Sequence, residues 1–288
     1  MDGLALHPAI LVAFGAAVGL LGTLVGVGGG FFMVPYLTLL GDFRHAWAVG
    51  TSLGAIVFNA VSGSIRWTLQ KRIDWVVGGT FAVATLPGAW LGRVASRSFN
   101  TSSFSIAFAV MVAVAAASML FARPAPGESS RLAWFRRGLR RDFTDSFGVR
   151  HQYSVNLPFG IAVSLGVGFL SALFGVGGGF LHVPVMVVLY GMPMHVAVAT
   201  SQVVLAVTAG AGAAAYAIPW GEPGQASEID VPTMSLLGLG AAGGAQVGAL
   251  VAPKIPAEGL RRILAVLLLI VAAAMAADGL GWVNLRGA

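Results

Sequence analysis

Apolar runs separated by short polar breaks dominate the chain, and ten can be drawn. The first half gives segments at about 8–25, 30–41, 46–65, 75–95 and 103–122. A hydrophilic stretch at about 123–156 follows, and the second half gives 157–174, 179–191, 195–217, 232–252 and 258–278. A helix that crosses a membrane needs about 20 apolar residues. The second segment of each half is too short for that, and each contains a proline, Pro35 or Pro184, placed to hold a helix break. The pattern predicts an all-α polytopic membrane protein, each half with roughly three full spans plus a broken or re-entrant helix pair.

The two halves are copies. Adding 149 to each position from 26 to 67 aligns them without a gap, and about 15 of those 42 positions are identical. Gly26–Phe31 and Gly175–Phe180 both read GVGGGF; Val34-Pro35 matches Val183-Pro184, Thr51-Ser52 matches Thr200-Ser201, and Gly63 matches Gly212. Further on the offset becomes 156, so that Gly88-Ala89 and Gly92 match Gly244-Ala245 and Gly248. The expected organisation is a first transmembrane repeat at 1–122, a linker at 123–156 and a second repeat at 157–288.

Charge gives an orientation. Lys and Arg of short loops stay on the cytoplasmic side. Seven of the 17 basic residues lie between Arg123 and Arg150, which puts the linker inside. The loop with Arg66, Lys71 and Arg72 is inside as well, whereas its counterpart IPWGEPGQASEID has no basic residue and three acids, and fits outside. Equivalent loops then lie on opposite faces, which makes the repeats an inverted pair with both termini periplasmic. Arg93 and Arg97 conflict with this arrangement, since they would lie outside. In the linker, Leu132, Phe135, Leu139 and Phe143 recur at helical spacing among arginines, the pattern of an interfacial helix on an anionic lipid surface.

Composition agrees with a membrane protein and narrows the chemistry. The chain has 288 residues, 57% hydrophobic and only 10% charged, against about 25% charged in soluble domains. The N-terminus has no basic n-region or small-residue cleavage site, so the first span is expected to be retained. With no Cys, disulfides and thiolate metal sites are excluded, and the scattered histidines do not make a metal site. No cofactor is expected. The net charge of +6 is concentrated in the linker and reads as an orientation signal, not a nucleic-acid site.

The glycine clusters carry the main functional signal. Nucleotide binding is rejected, because no Walker lysine follows and no acidic ribose ligand sits about 20 residues on. Close helix packing is one reading of them. The other is unwound backbone whose free N–H groups and positive helix ends face a cavity and bind an anion. All 11 Asp and Glu lie at segment ends, in loops or in tails, so no carboxylate is available at depth for a cation path. The expected solute-binding residues are Gly28, Gly29, Gly30, Thr51, Ser52, Asn59, Gly177, Gly178, Gly179, Thr200, Ser201, Gln202 and Thr208. His182, which replaces Met33 of the first copy, is the candidate proton carrier.

These residues also carry a resemblance. GVGGGFFMVP at Gly26–Pro35, GVGGGFLHVP at Gly175–Pro184, and the following VGTS and VATS at Val49–Ser52 and Val198–Ser201 resemble the sulfite exporter TauE/SafE family, also called the toluene sulfonate uptake permease family. The resemblance covers nearly the whole chain outside the linker. It implies a bacterial inner-membrane permease for sulfite, sulfonates and related small organosulfur anions or carboxylates. The expected function is a secondary transporter or facilitator exporting such an anion by alternating access, and the alternative is proton-coupled uptake. An intramembrane enzyme using Ser52 or Ser201 with His182 lacks an orienting carboxylate at depth and is not expected. A non-transporting scaffold is the remaining class. The expected partners are the small anion and membrane lipid; oligomeric state stays open.

Overall fold

The structure is a computed structural model that describes residues 6–99, 101–121, 138–218 and 227–281. Ten helices and one hairpin make up the described residues. The first half contains α1 (Pro8–Val25), the short α2 (Gly30–Pro35) running into a π-helical turn at Tyr36–Leu40, α3 (His45–Leu69), α4 (Trp75–Ser96) and α5 (Thr101–Phe121). Strands β1 (Leu139–Thr144) and β2 (Arg150–Val155) follow. The second half contains α6 (Leu157–Phe174), α7 (Gly179–Pro184) with its π-helical turn at Val185–Leu189, α8 (Met194–Ala217), α9 (Val231–Val251) and α10 (Ala257–Gly279). Six of the helices, α1, α3, α4, α6, α8 and α9, are long and apolar enough to cross a membrane.

Local chemistry sets the ends of these helices. Pro8 opens α1, where its missing N–H costs nothing, and Gly26 closes it at φ 79° with its N–H on the Gly22 carbonyl. In the second copy Asn156 caps α6 by accepting from Phe159 N–H, and Gly175 closes that helix at φ 72°. Asp74 caps α4 through Val76 and Val77, and its counterpart Asp230 caps α9 through Thr233. Pro35 and Pro184 do not end their helices. Each has no N–H to give, and the widened π turn after it accommodates the missing bond.

The helices of one half pack on those of the other. Helix α1 lies along α9, and α4 lies along α6. Both crossings run over glycines spaced four apart. A Cβ on Gly240 or Gly244 would lie 2.1 Å or 2.0 Å from the Val12 or Ala16 carbonyl oxygen. One on Gly88 or Gly92 would lie 2.0 Å or 2.1 Å from that of Leu165 or Phe169. Only backbone fits there, which is how small residues let membrane helices approach without a hydrophobic driving force. Helix α5 packs on α10, and α3 on α8.

The linker departs from the sequence-based expectation. Leu139 and Phe143 belong to a strand, not to a helix, and β1 pairs antiparallel with β2 from Leu139↔Val155 to Thr144↔Arg150. Leu132 and Phe135 lie outside the described residues. A spacing of four fits one helical turn and also two strand repeats, so the apolar pattern alone does not separate them. The hairpin sits on the start of α4 and the approach to α8. Tyr153 and Val155 share a core there with Val77, Phe81, Met192 and Val196.

Candidate functional site

The two glycine breaks meet at the centre of the bundle. Gly26, Gly28 and Gly29 in the first copy, and Gly175 and Gly177 in the second, adopt positive φ between 72° and 83°. Gly178 departs from its counterpart Gly29, with φ −68° against 83°. The breaks interlock reciprocally: a Cβ on Gly30 would lie 2.5 Å from the Gly175 carbonyl oxygen, and one on Gly179 would lie 2.4 Å from that of Gly26. Each short helix therefore starts against the carbonyl that ends the long helix of the other half. Among the described residues, no backbone carbonyl accepts from the N–H groups of Gly29, Gly30 or Phe31.

The doubled Thr-Ser pairs fasten this arrangement. Ser52 donates to the Gly175 carbonyl at 2.9 Å, and Ser201 donates to the Gly26 carbonyl at 2.9 Å. Thr51 accepts from the Asp230 N–H at 2.9 Å, and Thr200 accepts from the Asp74 N–H at 3.0 Å. All four residues are fully buried. In the described arrangement each has a backbone partner in the opposite half.

The remaining polar residues fall into separate groups. Thr23 donates to Asn59 Oδ1 at 3.0 Å, and Asn59 Nδ2 donates to the Gly28 carbonyl at 3.2 Å. Gln202 joins this group: its Oε1 and Thr23 Oγ1 each lie 3.3 Å from the point where a Cβ on Gly63 would stand. Gln202 is fully buried, yet among the described residues neither its Oε1 nor its Nε2 has a hydrogen-bond partner. Thr208, the counterpart of Asn59, instead donates to Val204 carbonyl at 2.7 Å and pairs with Thr85 on α4. His182 is also fully buried. Its Nδ1 donates to the Gly178 carbonyl at 2.9 Å and its Nε2 is 3.0 Å from Ser164 Oγ, so the neutral ring is satisfied at both nitrogens.

The sequence leads one to expect a cavity at the glycine clusters, and the structure holds them closed. Leu205 lies over both Gly28 and Gly177, within 2.3 Å of either absent Cβ, and its counterpart Ile56 lies 2.5 Å from that of Gly30. Both side chains are fully buried. Nothing polar marks this equivalent pair, so motif reading passes over it; its place between the doubled glycines is the signal that finds it. An open groove of about 310 Å³ lies elsewhere, lined by Phe43, Arg44, Trp47 and Asp230.

Two charge clusters lie at opposite ends of α4, separated by its 22 residues, about 33 Å at 1.5 Å per residue. At the first end the hairpin is anchored to the α3–α4 connection. Asp74 accepts from Arg141 at 2.7 Å and from Tyr153 at 2.6 Å. Arg72 pairs with Asp145 at 2.9 Å, and His151 Nε2 is 3.2 Å from the same carboxylate. Burial works to raise the Asp145 carboxyl, but bonds from Val149 N–H, His151, Arg72 and Phe147 N–H outweigh it and hold the group below its ordinary value. Burial and the Asp74 carboxylate both push the Tyr153 phenol up. At the other end Arg93 pairs with Glu228. Arg93 is 3% exposed, so the residue that conflicts with the orientation read from the sequence is an internal ion pair, not a surface anchor. Among the described residues no group of three metal-ligating side chains is found.

Comparison with known proteins places these features in context. The family model described as "Sulfite exporter TauE/SafE" matches residues 11–275. The chain is 36% identical over 217 residues to the "Probable membrane transporter protein YunE" of Bacillus subtilis, covering 73% of this chain and 78% of that one. It is 27% identical over 213 residues to a protein of Methanocaldococcus jannaschii also named a "Probable membrane transporter protein", covering 72% of this chain and 71% of that one. No solved structure matches the chain.

Proposed function

The chain belongs to the sulfite exporter TauE/SafE family of multi-pass membrane transporters, and on that premise we propose that it exports sulfite or a small organosulfur anion, such as a sulfonate or sulfoacetate, across the bacterial inner membrane. The observation that carries this reading is Gln202. A buried polar group without a partner costs about 1–3 kcal/mol, and a folded bundle retains one where it serves something else. Gln202 stands beside Thr23 and Asn59, next to the Gly28 break, where no backbone carbonyl among the described residues accepts from the Gly29, Gly30 or Phe31 N–H. Amide donors without carboxylates suit an anion.

The two halves act as inverted repeats that rock about the glycine breaks, with the hairpin cytoplasmic and both termini periplasmic. In that cycle the closed arrangement is read as the occluded state, and the burial of Ile56 and Leu205 against the glycines supports their reading as the central plug. Opening withdraws the plug and presents Gln202 and the N–H groups of Gly28–Gly30 and Gly177–Gly179 to the solute. A negative cell interior makes anion exit downhill by about 2.3 kcal/mol per charge at 100 mV, so export needs no coupled ion. His182, already satisfied as a neutral ring, favours export over proton-coupled uptake. Purified protein in liposomes, loaded in turn with sulfite, taurine, sulfoacetate and acetate, tests the proposal. Gln202-dependent, potential-driven efflux of sulfite or an organosulfur anion is expected; absence of flux for every one, or carboxylate flux alone, overturns it.

A further inference from the structure

Arg93 is an unusual residue to keep inside this bundle. It lies in the last turn of a membrane-spanning helix, and its side chain is 4% exposed. Burying a guanidinium costs several kcal/mol before its partners offset that. The internal repeat shows that the fold does not require the charge, because the equivalent position is Ala249. The guanidinium stacks 4.2 Å above the Tyr216 ring and donates through Nη1 to Ser96 Oγ at 3.2 Å. Its Nε is buried and has no hydrogen-bond partner among the described residues. Among the described residues its ion pair is with Glu228, whose side chain is 31% exposed and which sits on the segment leading into α9.

The surroundings connect this pair both to water and to the glycine break. Glu228 precedes by two residues Asp230, which lines the open groove with Phe43, Arg44 and Trp47. On the inner side, the Glu228 carbonyl oxygen packs against Gly50, and the neighbouring Val49 Cα lies 2.8 Å from the point where a Cβ on Gly175 would stand. A half-solvated carboxylate thus occupies a cation that lies between a groove and a helix break.

We propose that Arg93 is an anion-binding cation at the outer end of this transporter's path, and that Glu228 is its internal stand-in, displaced when the solute anion binds. The proposal rests on the anion-transport reading and adds to it a named specificity residue and a gating contact. An oxyanion fits the vacancy left by Glu228: it accepts from Nη2, and a second oxygen reaches the open Nε, a bidentate geometry that guanidinium offers and ammonium does not. With the anion gone, Glu228 returns and prevents a bare buried cation. A cation substrate is disfavoured here by the same charge.

Equilibrium binding of sulfite and of sulfoacetate to purified protein in detergent tests this, with thermal melting as the check on folding. Removing the competitor in Glu228→Gln should tighten binding at least tenfold. Arg93→Lys should weaken it at least tenfold, and the double variant should bind as poorly as Arg93→Lys. Arg262→Gln, which breaks the exposed pair with Glu258, should leave binding unchanged. If Glu228→Gln binds either anion no more tightly than the unsubstituted protein, or binds neither at millimolar concentration, the proposal is overturned. It is also overturned if Arg93→Lys keeps full affinity. The transport reading survives these results when liposome flux of sulfite or an organosulfur anion persists, and falls with it when flux is absent.

Discussion

Ser52 donates a hydrogen bond to the carbonyl of Gly175, a residue 123 positions away, at 2.9 Å, and Ser201 does the same for Gly26. The doubled sequence is thus used reciprocally, each copy satisfying the backbone of the other where its long helix ends. Replacing Ser52 with Ala leaves a buried carbonyl without its donor and should cost about 1–3 kcal/mol. Ser201→Ala should cost a similar amount. Unfolding monitored in detergent measures both, and equal losses are the expected outcome.

Gly30 and Gly179 should not tolerate even a methyl group. Each added Cβ would press to 2.5 Å or 2.4 Å on a carbonyl oxygen of the other half. Gly30→Ala and Gly179→Ala should lower the yield of folded protein sharply, whereas Gly79→Ala, where nothing lies within 4 Å, should not. Size-exclusion profiles of the three variants make the comparison.

Gln202→Leu should separate stability from function. It removes a buried amide that has no partner among the described residues, so stability should rise by about 1–2 kcal/mol. Anion efflux should fall at least tenfold in the same protein. Melting temperature and liposome flux on one preparation read both quantities.

Leu205 covers the two clusters, and shortening it should loosen the plug. Because lipid is as apolar as leucine, only the cavity part of the usual Leu→Ala loss applies, about 1–3 kcal/mol. Leu205→Ala should also raise the passive anion leak of liposomes, measured without an imposed potential.

The hairpin's attachment should respond to acid and not to alkali near neutrality. The Asp145 carboxyl is held below its ordinary value in the folded protein. Its contribution is therefore complete above that value and is lost as pH falls through the lowered folded value. Hydrogen exchange at Val149 and Phe147, whose N–H groups bond Asp145, should stay slow from pH 7 down to about 5 and speed up only below the unfolded value.

Single-cysteine labelling checks the orientation, since the chain has no native Cys. Val149→Cys on the hairpin turn should be labelled only from the cytoplasmic side, and Ser227→Cys only from the periplasmic side. Labelling of both from one side contradicts the inverted arrangement.

The hydrophobic pattern carries most of the fold, because bilayer burial sets a length and a polarity limit on every span. The segments read at 8–25 and 157–174 coincide with α1 and α6. The hairpin was hidden because Leu139 and Phe143 fit two periods. The alternation of Tyr153 and Val155 was the better signal. For the site, sequence picks out the glycines and the Thr-Ser pairs but not their use. The partners of Ser52, Ser201 and Arg93 lie 123, 175 and 135 residues away, and no local pattern reports contacts of that range. Arg93 did leave a trace, as a basic residue on the wrong side of the charge rule.

The crossing of α1 with α9 has a consequence for how the protein is made. Val12 and Gly240 touch backbone to backbone, so α1 leaves the ribosome long before α9, its main partner. At roughly 5–20 residues per second, α1 resides in lipid for on the order of ten seconds or more with its glycine face uncovered. Biogenesis therefore depends on an insertion machinery, or on neighbouring nascent helices, that shelters this surface until α9 has been made.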